Sequence, residues 1–77
     1  MEEYTNQGKK FALSLIKKQK GRLIENADEA GYAELINDLY FSPYINLSKK
    51  NKIWAHYFKD KSNKLSVSIN KLEKLFK

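Results

Sequence analysis

The chain has 77 residues, with 15 Lys or Arg against 9 Asp or Glu, one His, no Cys and a net charge of +6. That length allows one small domain, residues 1–77, and leaves no room for a two-domain enzyme, because independent domains cluster around ~100–150 residues. A mean hydropathy of -0.69 with 31% charged residues excludes a membrane-embedded chain, and 42% hydrophobic content excludes a disordered tail.

Without cysteines the fold must be held by helix packing or by self-association. Met1 to Tyr4 is acidic, and the longest apolar run near it, Phe11 to Ile16, is too short and wrongly flanked for an export signal. The expected location is the cytoplasm.

Apolar residues recur at helical spacing, with no sustained alternation of period two, so the chain reads as all-α. The first helix is expected from about Thr5 to Lys20, with Phe11, Ala12, Leu15 and Ile16 as its apolar stripe and Gly21 ending or bending it. Asn26-Ala27-Asp28-Glu29 has a capping residue with a carboxylate three positions on, which predicts a second helix starting at Asn26. Its face is Tyr32, Leu35, Ile36, Leu39 and Tyr40.

Ser42-Pro43 stops that helix, because the residue before a proline is pushed out of the α region. Ser48 is the expected cap of a third helix through about Lys59, with Ile53, Trp54, Tyr57 and Phe58 as its core face. Asp60-Lys61-Ser62-Asn63 reads as a turn. A fourth helix from Ser62 or Asn63 carries Leu65, Ile69, Leu72 and Phe76. The expected architecture is a single compact bundle or orthogonal array of about four short helices.

The charge is not evenly spread. Residues 1 to 38 carry six basic and seven acidic groups, net −1, whereas residues 39 to 77 carry nine Lys against Asp60 and Glu73, net +7. Along the third helix Lys49, Lys52, His56 and Lys59 fall at i, i+3, i+7 and i+10, and Lys64, Lys71 and Lys74 follow on the fourth. Rows of cations meet the phosphates of nucleic acids, with affinity driven by counterion release. All but one of the cations are Lys, which lacks the bidentate fork of Arg and so suits sequence-tolerant contact.

Chemistry-bearing patterns are sparse. Asp60 lies at i+4 from His56 and could orient the imidazole as an acid/base pair requires, but that spacing is more often a surface helix contact. Glu25/Glu29 and Glu34/Asp38 read as a solvated acidic face. No metal-ligand cluster, phosphate-binding glycine loop or cofactor motif is present, so no cofactor is expected and an enzyme is the least favoured class. The last two helices are compatible with a helix-turn-helix, although Lys59 stands where the turn usually has Gly, and Ser66 and Ser68 where packing residues fall.

The segment Leu35-Ile36-Asn37-Asp38-Leu39-Tyr40-Phe41-Ser42-Pro43-Tyr44-Ile45-Asn46, followed by Leu47-Ser48, resembles the third-to-fourth helix junction of pediocin-like bacteriocin immunity proteins of the enterocin A type. The resemblance implies a small Lys-rich cytoplasmic four-helix bundle that associates with a sugar-transporter receptor complex; no functional residue carries over from it. Three readings therefore stand. The leading one is a non-enzymatic nucleic-acid-binding accessory or regulatory protein using Lys49, Lys52, His56, Lys59, Lys64, Lys71 and Lys74. The second is a helical interaction module of the immunity or phage/plasmid inhibitor type meeting an acidic protein surface. The third is a homodimer through Trp54, Tyr57 and Phe58.

Overall fold

The computed structural model describes residues 6–60 and 63–77. Four helices follow in chain order: α1, Asn6–Asn26; α2, Glu29–Tyr40; α3, Leu47–Lys59; and α4, Leu65–Lys74. The all-α reading holds. Thr5 and Ser62, expected at helix starts, and Lys61 of the expected turn lie outside the described residues.

The 21-residue α1 runs past Lys20 and straight through Gly21. An exposed helical glycine costs only about 1 kcal/mol against Ala, too little to break a helix that packs on both α2 and α4. Its inward line is Gly8, Ala12, Ile16 and Leu23, while Phe11 is 37% exposed and Leu15 half-buried. Gly8 is required by close approach, because a Cβ there would stand 2.6 Å from the Tyr44 carbonyl oxygen.

The capping expectation at Asn26 is corrected by two residues. Ala27 takes a left-handed φ of 48°, the Ala27 N–H bonds the Ile24 carbonyl and the Asp28 N–H bonds the Leu23 carbonyl, a Schellman closure of α1. Asn26 thus ends α1, and Asp28 caps α2 by accepting from the Gly31 N–H at 2.9 Å. Likewise α3 is capped by Asn46, which accepts from the Lys49 N–H, rather than by Ser48.

The core is Ala12, Ile16 and Leu23 of α1, Tyr32, Leu35, Ile36 and Leu39 of α2, Ile45 of the connector, Ile53 of α3, and Ile69, Leu72 and Phe76 around α4. The stripes of α2 and α4 pack as the spacing predicts. The α3 stripe does not: only Ile53 is buried, Trp54 and Tyr57 are half-buried, and Phe58 is 58% exposed.

Helices α2 and α4 each pack between α1 and α3, so they occupy opposite corners of the bundle. Lys49 meets Leu75 while His56 meets Ser68, so α3 and α4 lie side by side and antiparallel.

Candidate nucleic-acid interface

Seven side chains were expected to form the basic surface, and two of them are withdrawn from it. Lys49 is 5% exposed. Its ammonium donates to the Leu75 carbonyl at the end of α4 and lies 5.1 Å from the centre of the Phe76 ring. The last carbonyls of a helix have no partners within it and carry the negative end of its dipole, so a lysine from the neighbouring helix satisfies both needs. The interior position of Lys49 corrects the expectation of a phosphate contact there.

His56 is the second. Its side chain is 9% exposed, with Nδ1 2.9 Å from Asp60 Oδ2 and Nε2 2.9 Å from the Ser68 carbonyl oxygen. The i,i+4 pair expected on the surface is thus a buried clasp between α3 and α4.

Asp60 is the centre of that clasp. Its N–H closes α3 on the His56 carbonyl, and its own carbonyl accepts the Ser68 hydroxyl at 3.1 Å. One carboxylate oxygen takes His56; the other takes Asn63 Nδ2 at 2.8 Å and faces the Lys71 ammonium at 3.6 Å. Ser68, polar at a packing position, is buried because it serves this cluster. The Tyr32 hydroxyl lies 3.2 Å from His56 Nε2. Burial, with the nearby Asp60 charge and Tyr57, pushes the Tyr32 phenol well above its ordinary pKa of 10.0.

A cavity of about 200 Å³ opens beside the clasp, lined by Glu29, Tyr32, Tyr57, Asp60, Asn63 and Ser68. Both imidazole nitrogens and both Asp60 oxygens already have partners inside the protein, and the Tyr32 phenol holds its proton. These contacts fasten α4 to α3. Among the described residues no three His, Asp or Glu side chains converge to hold a metal ion.

The other five expected residues are exposed: Lys52 and Lys59 on α3, Lys64 at the start of α4, and Lys71 and Lys74 within it. Lys52 and Lys59 each follow by three residues a side chain that faces α4, Lys49 and His56, so helical spacing sets them on the solvent side of the α3–α4 seam. Lys77 belongs to the same region. It lies 3.6 Å from Glu73, which Lys20 of α1 also holds at 3.3 Å. Burial alone would raise the Glu73 carboxyl, but the hydrogen bond and charge of Lys20, with those of Lys77, outweigh it and hold that pKa below the ordinary carboxylate value. The single acid of α4 is thereby neutralised.

Trp54 stacks on Phe58 with centroids 5.2 Å apart and planes at 17°, and packs edge-on against Tyr40 of α2. Trp54 thus sits on the flank of α3 that meets α2, while Tyr57 lines the cavity beside the clasp.

Among the described residues no helix is long and apolar enough to cross a membrane. No protein-family model matches the chain, and comparison with curated proteins and with solved structures finds no significant match.

Proposed function

We propose that this protein binds nucleic acid through the lysine face of α3 and α4, formed by Lys52, Lys59, Lys64, Lys71 and Lys74, in an accessory or regulatory role. The observation that carries the reading is the separation of charge across the bundle. Helix α2 holds Glu29, Glu34 and Asp38 and no cation, while α4 at the opposite corner holds Lys71 and Lys74 between Lys64 and Lys77. Helix α1 is basic as well, with Lys9, Lys10, Lys17, Lys18, Lys20 and Arg22 against Glu25, so a polyanion's field turns the acidic α2 away from itself and brings the basic helices toward it.

Exposed ammonium groups on flexible stems contact phosphates without a fixed fork and so do not read bases. The expected target is therefore the phosphate backbone of a duplex, bound irrespective of sequence. Four phosphate contacts imply a slope of log affinity against log salt near −3.6 on duplex DNA, a loss on the order of a hundredfold between 50 and 200 mM salt.

The test is fluorescence anisotropy with a labelled duplex oligonucleotide and the Lys64→Glu, Lys74→Glu double variant. Both side chains are exposed, so the fold should survive, and affinity should fall at least tenfold. An unchanged affinity removes the proposed face. An acidic protein surface would engage the same lysines, and the absence of duplex binding near 0.15 M salt would favour that alternative.

A further inference from the structure

A second surface lies outside the lysine face. Phe41 is 74% exposed and Phe58 58%, and they pack on the half-buried Tyr40 and Trp54 along the α2–α3 seam; Leu47, 65% exposed, lies two helical turns before Trp54 on the same side of α3. The rings already touch one another: Tyr40 meets Phe41 edge-on at 5.2 Å and Trp54 at 5.6 Å, and Trp54 stacks on Phe58. The side chains are thus held in place before any partner arrives, which lowers the entropic cost of burying them. Clustered exposed aromatic and aliphatic residues of this kind mark association surfaces.

The charges bordering this patch identify its occupant. On α2 the exposed acids are Glu34 and Asp38; on α3 the exposed cations are Lys52 and Lys59, and the Lys50 ammonium lies over the Tyr40 ring, 5.7 Å from its centre. An acid strip, an aromatic strip and a basic strip run side by side along the helices. Rotating a copy by 180° about an axis parallel to the helices lays aromatic strip on aromatic strip and sets the acids of each copy over the lysines of the other. A twofold interface needs a self-complementary surface of this sort.

The geometry points to a second copy of this chain as the occupant: the protein forms a twofold dimer through Tyr40, Phe41, Leu47, Trp54 and Phe58. Its small core gains the apolar burial that a 77-residue chain lacks alone. The α4 face of each copy stays outward, so one particle carries two basic faces, with Lys52 and Lys59 at the border between dimer and lysine face.

Sedimentation equilibrium from about 5 to 500 µM, without nucleic acid, tests the proposal. The native chain should give twice its 9.0 kDa mass at the upper concentrations. Phe58→Lys and Phe41→Lys, each checked for native helicity by circular dichroism, should weaken self-association at least tenfold. Glu34→Lys with Asp38→Lys should weaken it as well, and adding Lys52→Glu with Lys59→Glu should restore it. A monomer throughout the range, as expected if the patch serves a different protein, overturns the proposal. So does a dimer indifferent to both Phe variants, or a charge reversal that is not rescued.

Discussion

Replacing His56 with Ala tests whether the α3–α4 clasp is a structural element or a surface pair. The substitution deletes a ring whose side chain is 9% exposed and removes from an equally buried Asp60 a partner 2.9 Å away. Leaving a buried polar group without its partner costs about 1–3 kcal/mol, more where the group is charged. Asn63 at 2.8 Å and Lys71 at 3.6 Å remain on the other carboxylate oxygen, but the Ser68 carbonyl loses its ring partner as well, which puts the expected loss at about 3 kcal/mol. A domain of this size has only ~4–12 kcal/mol in total, and each kcal/mol shifts the midpoint by ~4–8 °C, so Tm should fall by at least about 12 °C. Urea unfolding followed by circular dichroism and Trp54 fluorescence measures it. Lys59→Ala on the same helix, exposed, should stay within about 0.5 kcal/mol. A cost for His56→Ala below about 1 kcal/mol would refute the reasoning, because that is the value of a solvated i,i+4 pair.

The same Gly→Ala change should have opposite signs at two positions of α1. Gly21 has nothing within 4 Å of an added Cβ and should gain about 0.5–1 kcal/mol, whereas Gly8 would meet the Tyr44 backbone and should lose about 1–3 kcal/mol; thermal melts of the two variants compare them directly. Ala27→Gly should raise stability by about 1 kcal/mol, since Ala27 sits at φ 48°, and an unchanged melting point would contradict the left-handed closure of α1. The pH dependence has two arms. The folded-state pKa of Tyr32 is raised, so its contribution is whole below 10.0, the ordinary value, and is lost as pH rises beyond it; Tyr32→Phe should flatten that alkaline loss in pH-scanned urea melts. The pKa of Glu73 is lowered, so its contribution is present above the ordinary carboxylate range and lost as pH falls through it, and Glu73→Gln should blunt that acid loss.

Helix α2 was legible in the sequence because one stripe, Tyr32, Leu35, Ile36 and Leu39, carries all its buried side chains apart from Gly31, which has none, and Pro43 bounds it. Its start was not, because Asn26 and Asp28 are both good capping residues and only the left-handed turn at Ala27 decides between them. Helix α3 was misread for a physical reason. Hydrophobicity placed Trp54, Tyr57 and Phe58 in the core, yet the line that faces α4 is Lys49, Ile53 and His56, at i, i+4 and i+7. Polar side chains occupy that line because α4 offers them a terminal carbonyl and a mid-helix carbonyl, Leu75 and Ser68, which lie 26 and 12 residues away in the chain. The available signal was that Lys49 and His56 bracket Ile53 at helical spacing. The net charge of the second half pointed to Lys52, Lys59, Lys64, Lys71 and Lys74, all of which are exposed.

The most direct test of the central claim, that the α3–α4 lysines bind phosphate backbone, is a salt titration of affinity for a labelled duplex oligonucleotide, compared between the native chain and Lys64→Glu, Lys74→Glu. The account predicts binding that persists near 0.15 M salt, with a log–log slope of about −3 to −4 that shrinks by roughly two units in the variant and is the same for unrelated sequences. Binding that has vanished by that salt, or a slope unaffected by the two substitutions, would contradict it.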